Sequence, residues 1–267
     1  MTKPKEIRGA LVTGAARRIG RSISLGLAEE GWHVIVHYHS SEKEALQTVA
    51  EIQGNGGKAS AIYGDLKEPE AINDLIDESV QVSGGLGCLI NNASMFVPDD
   101  IMTVNADTFD SIVAVNLRAP VLISQAFAKS LIAGTEGIII NLLDQKLVNP
   151  NPDFISYSLS KYALSGLTTM LAMALGPKIR VCAVAPGLIL PSGDQTPEHF
   201  SLVHDRTPLR RGATKEDVTS AIKYLISAKS ITGEVLLVDG GQHLIGSARD
   251  VMYTEEDYEF SLRKEEK

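Results

Sequence analysis

Short apolar runs alternate with longer helical patterns along this chain, and the alternation constrains the fold more than any other feature. The apolar runs predicted to form strands are 8–12, 33–37, 58–63, 86–90, 137–143, 179–184 and 234–238. The stretches with helical periodicity between them are 19–30, 42–54, 68–82, 106–133, 154–175 and 214–228. Because parallel strands need crossover connections of this kind, the pattern predicts an α/β fold, a doubly wound parallel sheet with helices on both faces.

The composition indicates one domain. The 267 residues are 44% hydrophobic, which is enough for one well-buried core, and no shift in composition indicates a second. We predict a domain over 1–246 and a charged tail over 247–267, which is either a surface tail, a short helix docked on a neighbouring subunit, or disordered.

The charge and hydropathy exclude some classes of partner. A net charge of −8 without a basic stripe disfavours a nucleic-acid surface. No apolar run approaches the roughly 20 residues of a membrane span, and the N-terminus lacks the apolar region of a signal peptide. We therefore expect a cytoplasmic protein with no membrane partner.

Neither the cysteines nor the histidines predict a metal site. Cys88 and Cys182 each lie in an apolar segment, so we expect two small buried side chains in neighbouring strands. The histidines near the second predicted strand have no carboxylate or cysteine at ligand spacing. The predicted metal content is none.

A glycine-containing turn, 13–20, follows the first predicted strand and opens a helix. Gly14 permits a tight turn and Gly20 permits close packing, while the helix N-terminus offers N–H groups to a pyrophosphate. Arg18 stands where such turns usually have another glycine. Arg17 and Arg18 either bind phosphate, with Arg18 also within reach of a substrate, or are solvated arginines.

The end of the second predicted strand indicates which dinucleotide is bound. It reads HYHSS over 37–41, without the acidic residue that usually holds the ribose 2′-OH of NAD. These hydroxyls and imidazoles can donate to a 2′-phosphate, so NADP(H) is favoured, although ordinary loop residues would give the same pattern. Asp65 is a candidate acceptor for the adenine amino group. The NNAS segment, 91–94, either braces the site and leaves room for a ribose or forms a simple Asx turn.

Three side chains form a candidate catalytic group. Tyr157 and Lys161 are four residues apart on one helix, where a lysine favours the phenolate form of a tyrosine and can hold a ribose hydroxyl. The strand-like run IIINLLD, 138–144, ends on Asp144, at the sheet edge where ligands bind in folds of this type. A carboxylate beside Tyr157 would instead keep the phenol protonated, so the group would titrate jointly. The alternative is that Asp144 only caps the turn that follows, within 145–153.

Together these motifs resemble the short-chain dehydrogenase/reductase family. The matching segments are T-G-x-x-x-R-x-G at 13–20, N-N-A-S at 91–94, Y-x-x-x-K at 157–161, P-G at 186–187 and D-G-G at 239–241. The similarity covers roughly 7–245 and implies a Rossmann-type single domain, a nicotinamide cofactor, catalysis by the Tyr-Lys pair and usually a homotetramer. Asn116 matches the family asparagine that helps relay protons. The predicted cofactor-binding residues are Gly14, Arg17, Arg18, Ile19, Gly20, His37, Tyr38, His39, Ser40, Ser41, Asp65, Leu66, Asn92, Ala93, Ser94, Lys161, Pro186, Gly187 and Leu188.

One departure points to a branch of that family. Most members carry a serine where this chain has Asp144, and an aspartate there, with Arg18 and H-Y-H at 37–39, resembles the pteridine reductase branch. A carboxylate opposes the alkoxide that develops in ketone reduction, whereas reduction of a pterin C=N bond needs a proton at a ring nitrogen. Phe96 matches an aromatic that covers the pterin ring in this branch, or is a hydrophobic plug. The predicted substrate-binding residues are Arg18, Ser94, Phe96, Asp144 and Tyr157.

Three functions remain under consideration. The first is an NADPH-dependent reductase of pterin substrates, in which Tyr157, tuned by Asp144 and Lys161, supplies or relays the proton. The second is a member of the same family acting on a carbonyl or alcohol. The third is an NADP-binding regulatory protein without turnover. The polar segment 191–213 is predicted to be a substrate lid.

Overall fold

The computed structural model describes residues 7–191 and 196–253, and at its centre is a seven-stranded sheet. All neighbouring strands are parallel, in the order β3-β2-β1-β4-β5-β6-β7. The strands are β1 Gly9–Val12, β2 His33–Tyr38, β3 Lys58–Tyr63, β4 Leu86–Asn91, β5 Gly137–Leu142, β6 Ile179–Pro186 and β7 Val235–Val238. This order confirms the predicted doubly wound α/β fold of Rossmann type.

Helices cover both faces of the sheet, as the alternating pattern predicts. They are α1 Arg18–Glu29, α2 Glu42–Gly54, α3 Pro69–Ser83, α4 Ala106–Val113, α5 Ala119–Ser130, α6 Ile155–Leu175, α7 Pro197–Asp205 and α8 Lys215–Ser227. One core cluster joins the sheet to α1, α2 and α8, and a second joins it to α3, α5 and α6. Strand residues alternate between them, with Ala10 and Val12 in the first and Leu11 in the second.

The predicted helix 106–133 is two α segments joined by a π turn, Ala114–Arg118. The combined helix, Ala106–Ser130, is long and apolar enough by length and composition to cross a membrane, which the sequence analysis did not anticipate. Half of the apolar window is buried inside the domain, where Ile123 and Phe127 belong to the second core cluster.

Some regions depart from the sequence-based predictions. The two cysteines are free and buried, but they lie in β4 and β6, with β5 between them rather than side by side. The polar segment 191–213 contains α7, which the apolar periodicity did not reveal, and 192–195 lie outside the described residues. Residues 247–253 of the predicted tail pack on the domain, whereas 254–267 lie outside the described part of the chain.

The strand order reverses between β1 and β4, which are neighbours in the sheet. The loops after these two strands therefore run in opposite directions and leave a crevice between them. Thr13 ties the two loops together, because its Oγ1 accepts the N–H groups of Asn92 and Ala93, each at 3.0 Å. This crevice is where the sequence places its glycine-containing turn.

Candidate active site

In the turn after β1, two glycines allow main-chain segments to lie closer together than a side chain would permit. Gly14 has φ +61°, and a Cβ there would lie 3.0 Å from the Cα of Ala93. A Cβ on Gly20 would lie 2.3 Å from the Gly14 carbonyl and 2.6 Å from Asn92 Nδ2. Asn92 Nδ2 donates to the carbonyls of Thr13 and Gly14, at 2.8 and 3.1 Å. The main chain of the turn is therefore held in place at the N-terminus of α1, the geometry of an anion site.

His37 supports this turn instead of facing a ligand. Its Nδ1 accepts the Gly14 N–H at 3.0 Å, and its Nε2 lies 3.0 Å from the Gly64 carbonyl, so Nε2 must carry the proton. The side chain is buried, and burial lowers its pKa to about 4. The interpretation of His37 as a donor to a 2′-phosphate is therefore wrong, because both ring nitrogens are already bonded to the main chain.

Arg18 adopts a backbone conformation that favours glycine, with φ +54°. Its guanidinium donates from Nη1 and Nη2 to the Pro191 carbonyl, both at 3.2 Å, so it reaches the segment after β6. The residue lines both cavities described below. A side chain in place of glycine thus links the phosphate-binding turn to the predicted lid.

A cleft of about 610 Å³ runs over this turn. Most of the predicted cofactor residues line it, namely Gly14, Arg17, Arg18, Ile19, Gly20, His37, Tyr38, His39, Ser40, Ser41, Asp65, Leu66, Asn92, Ala93 and Ser94. The sequence analysis missed four further lining residues, Ala16, Lys67, Met95 and Val115. The close approach at Gly14 and Gly20, the helix N-terminus and the two arginines fit a dinucleotide with an additional phosphate.

Two side chains at the predicted adenine end of this cleft contact each other. His39 Nε2 lies 3.5 Å from Asp65 Oδ2, and Asp65 Oδ1 also accepts the Lys67 N–H at 2.9 Å. Ser40 and Ser41 are polar groups beside them in the cleft. With His37 excluded, Arg17, Ser40 and Ser41 remain as candidate partners for a 2′-phosphate.

The predicted catalytic side chains converge after β5. The Tyr157 hydroxyl donates to Asp144 Oδ2 at 2.8 Å, and Asp144 Oδ1 accepts the Lys146 N–H at 2.8 Å. Lys161 Nζ donates to the Leu142 carbonyl at 2.7 Å and lies 5.5 Å from the centre of the Tyr157 ring. Tyr157 and Lys161 are buried, with 7% and 3% of their surface exposed. The helix α6 and the segment after β5 therefore bring an acid, a phenol and an ammonium together.

Burial dominates the electrostatics of this group. It raises the pKa of Asp144, against the hydrogen bonds from Lys146 and Tyr157. Burial, and then the charge of Asp144, raise the pKa of Tyr157 well above its usual value. Burial lowers the pKa of Lys161 to about 8, an effect that Asp144 opposes. The phenol is therefore protonated at neutral pH, and the expectation that Lys161 favours the phenolate is outweighed.

Asn116 lies within the π turn and is fully buried. Its Oδ1 accepts the Met95 N–H at 2.7 Å, and its Nδ2 donates to the Met95 carbonyl at 2.9 Å and to Ser160 Oγ at 3.1 Å. The amide thus joins the segment after β4 to α6. These bonds hold the segment after β4 and the helix α6 in place on two sides of the site. The proton relay through Asn116 stays a prediction.

A second cavity of about 410 Å³ lies over the catalytic group. The predicted residues Arg18, Ile19, Ser94, Phe96, Asp144, Tyr157, Pro186, Gly187 and Leu188 line it. Phe96 is 39% exposed, stacks on Phe154 at 4.1 Å between ring centres and meets Tyr157 edge-on at 4.7 Å. Part of its surface is therefore engaged within the protein before any ligand is present.

The sequence analysis missed one wall of this cavity. The missed lining residues are Leu143, Gln145, Lys146, Ile189, Leu190, Asp250, Val251 and Met252. The last three belong to the stretch predicted to be a tail, and no motif marks them. Within 7–191 and 196–253, the histidine, cysteine and acidic side chains form no group of three or more that could hold a metal ion.

Comparisons with known proteins bear on this site. A family model described as enoyl-(acyl carrier protein) reductase, of the short-chain alcohol dehydrogenase type, matches residues 14–243. A 3-oxoacyl-[acyl-carrier-protein] reductase, FabG, of Staphylococcus epidermidis is 33% identical over 244 residues, which cover 89% of this chain and 99% of the relative.

Solved structures with NADP bound have the same fold. FolM alternative dihydrofolate reductase 1 from Brucella canis, complexed with NADP, is 36% identical with a TM-score of 0.86, over 91% of this chain and 98% of that one. A short-chain dehydrogenase from Burkholderia cenocepacia, also with NADP, is 33% identical with a TM-score of 0.81, over 89% and 99% of the two chains.

Proposed function

The chain belongs to the short-chain dehydrogenase/reductase family as an NADP-dependent oxidoreductase, and we propose that within this family it reduces pterin substrates. The proposed reaction converts a dihydropterin to a tetrahydropterin. NADPH supplies the hydride when bound, and the protein supplies a proton to a ring nitrogen. The observation that carries the proposal is the hydrogen bond from Tyr157 to Asp144, where most of the family has a serine.

Tyr157 holds its proton at neutral pH, and the Asp144 carboxyl that accepts this proton in a hydrogen bond has a raised pKa. Burial raises the pKa of both groups, and at 2.8 Å they titrate as one unit. A proton on this unit can pass from Tyr157 Oη to a basic nitrogen in the cavity. The ammonium of Lys161, fixed by the Leu142 carbonyl, stabilises the anion that remains.

The same arrangement is poorly suited to a ketone. Reduction of a ketone builds negative charge on the carbonyl oxygen, which is stabilised by neutral or positive donors. The Asp144 carboxyl is the group nearest the Tyr157 hydroxyl, and in its ionised form it would repel that oxygen. A ring nitrogen that becomes protonated carries no such negative charge.

The cavity offers contacts for a flat heterocycle. Phe96 presents an exposed part of its ring next to Tyr157, where a pterin can pack against it. Arg18 and Ser94 line both the cofactor cleft and this cavity, so they lie where cofactor and substrate meet. The Brucella neighbour is called an alternative dihydrofolate reductase, and dihydrofolate contains a dihydropterin ring.

Reduction of a 3-oxoacyl thioester is the second candidate, because the Staphylococcus relative is named for that reaction. A panel of dihydromonapterin, dihydrobiopterin, dihydrofolate and acetoacetyl thioesters, followed by loss of NADPH absorbance, separates the candidates. We expect turnover of the dihydropterins and at most slow turnover of the thioesters. The reverse ranking would overturn the pterin assignment. Tight NADPH binding without turnover on any member would favour a regulatory protein.

The remaining parts of the proposal rest on the family resemblance. They are a cytoplasmic homotetramer whose partner is a small pterin-like molecule, with no nucleic acid or membrane bound. Light scattering on the purified protein tests the oligomeric state, and a mass of one or two chains would contradict it.

A further inference from the structure

A second set of charged side chains lies beside the catalytic group. Lys146 and Asp250 are buried, with 4% and 5% of their surface exposed, and Lys146 Nζ lies 2.7 Å from Asp250 Oδ2. The ammonium also donates to Asn151 Oδ1 at 2.9 Å and to the Asp153 carbonyl at 3.1 Å. Among the described residues, the Asp250 carboxylate is therefore the one negatively charged group in an ion pair with this ammonium. Asp250 also lines the substrate cavity.

Lys146 connects this ion pair to the proton-holding unit. Its side chain binds Asp250, while its main-chain N–H donates to Asp144 Oδ1 at 2.8 Å. Its carbonyl accepts the Tyr162 hydroxyl of α6 at 2.9 Å. A change in the position of the Lys146 ammonium therefore moves the residue whose N–H orients the Asp144 carboxyl.

The segment that carries Asp250 is itself fixed to the domain. The Asp250 N–H donates to Asp153 Oδ2 at 2.6 Å, and Arg249 Nη2 lies 2.8 Å from Asp153 Oδ1. Asp250 Oδ1 accepts the Met252 N–H at 3.0 Å. The Asp250 carboxylate is therefore held in one orientation before a ligand binds.

Aromatic rings make a second connection from the same segment to the site. Tyr253 stacks on Phe154 with ring centres 5.9 Å apart, and Phe154 stacks on Phe96 at 4.1 Å. Phe96 in turn meets Tyr157 edge-on at 4.7 Å. Ionic and aromatic contacts from residues 249–253 thus end on the two members of the proton-holding unit.

We propose that Asp250 is a positioning residue for the Asp144–Tyr157 unit, acting through the Lys146 ammonium and the main chain of Lys146. Docking of residues 249–253 then completes the site, although these residues lie far from Tyr157 in sequence. The inference rests on the proposed role of Tyr157 as the proton donor. It does not depend on whether the substrate is a pterin, because Tyr157 would serve any reductase of this family.

The charge of Asp250 also acts on the proton equilibrium. The charged groups around the Tyr157 hydroxyl are Asp144 and Lys146 from the segment after β5, Lys161 from α6, Asp250 from the C-terminal segment and Arg18 from the turn. The negative charge of Asp250 adds to the causes that raise the pKa of Tyr157. Removing that charge favours loss of the phenolic proton at lower pH.

Asp250→Asn tests the proposal, because it keeps the shape and an acceptor oxygen and removes the charge. With the substrate from the panel that is turned over fastest, we expect kcat to fall roughly tenfold. The KM for NADPH should not change, since Asp250 does not line the cofactor cleft. Asp77→Asn, the same change at an exposed position on α3, is the matched control.

The double variant Lys146→Met/Asp250→Leu distinguishes the loss of the ion pair from the presence of an unpaired charge. Its kcat should be higher than that of Asp250→Leu alone, because the double variant leaves no unpaired buried ammonium. A wild-type kcat in Asp250→Asn would overturn the proposal. Equal losses of kcat and NADPH affinity would overturn it too, since they indicate general disruption.

Hydrogen exchange provides a readout that needs no substrate. In the NADP-bound protein, the peptide over 143–154 should exchange faster in Asp250→Asn than in the wild type, because the Lys146 N–H to Asp144 bond is weakened. Unchanged exchange there would refute the link through Lys146, whatever the enzyme reduces. Absence of dihydropterin turnover in the wild type, in contrast, would refute only the substrate assignment.

Discussion

His37 makes the stability of this protein sensitive to acid, by an amount that follows from its surroundings. In the folded state the ring is buried between Gly14 and Gly64, and its pKa is about 4, against 6.5 for an ordinary histidine. Between these values the unfolded chain binds a proton that the folded chain does not, so stability is retained above about pH 6.5 and lost as the pH falls. At 1.36 kcal/mol per pKa unit, the full loss is about 3 kcal/mol near pH 4, and about 2 kcal/mol of it occurs between pH 7.5 and 5.

His37→Asn removes the titrating group while keeping an acceptor oxygen near the Gly14 N–H. Urea unfolding at pH 7.5 and at pH 5 gives the free energy of unfolding of each protein at each pH. We expect the variant to be less stable at pH 7.5, since it loses the bond to Gly64, but to lose about 2 kcal/mol less than the wild type on going to pH 5. His39→Asn, at an exposed position, is the control and should keep most of the wild-type loss, because burial and not the charge of His39 is the main cause of the lowered pKa of His37.

An equal loss of stability in His37→Asn and the wild type would show that His37 does not cause the acid sensitivity.

Protonation of His37 should also weaken cofactor binding. A protonated Nδ1 can no longer accept the Gly14 N–H, so the turn predicted to bind the pyrophosphate loses this hydrogen bond. Isothermal titration of NADP over the same pH range is expected to show an affinity that falls together with stability.

Other predictions concern the catalytic group and the turn. Tyr157→Phe should lower kcat by roughly 10²–10⁴-fold in steady-state assays, with NADPH binding retained; wild-type turnover would refute its role as the acid. Asp144→Ser should lower dihydropterin turnover more than NADPH affinity and raise the ratio of ketone to pterin reduction; parallel losses would indicate a structural role. Because the pKa of Lys161 is about 8, kcat/KM should fall as the pH rises through about 8 and the ammonium loses its charge, and a profile flat to pH 9.5 would contradict this. Gly20→Ala should weaken NADPH binding at least tenfold by titration, because its Cβ would lie 2.3 Å from the Gly14 carbonyl.

The sequence predicted the parts of this molecule that depend on local chemistry. Apolar runs separated by helical stretches determine a parallel sheet, because few other connections are possible. Tyr157 and Lys161 share a helix face at a spacing of four residues, so their proximity follows from helix geometry. Asp144 ends a strand-like run, and its position beside Tyr157 follows from the ends of β5 and α6 meeting at one sheet edge.

Contacts between distant segments could not be predicted in this way. His37 is one of several polar residues after β2, and its two bonds depend on how Gly14 and Gly64 are brought together by the sheet. The Lys146–Asp250 pair joins two segments without a motif in either. Val203 is the one buried residue of α7, so the apolar periodicity of this helix is too weak to distinguish it from a polar loop.

The π turn in the long helix sets a limit on how far this scaffold can be regularised. Deletion of one residue from Ala114–Arg118 would give a straighter helix with more regular backbone hydrogen bonds. Each residue rotates a helix by about 100°, so everything on one side of the deletion would turn by that angle relative to the other. Asn116 would then lose its hydrogen bond to Met95 or the one to Ser160. A variant made more thermostable in this way would therefore lose the contact that joins two walls of its active site.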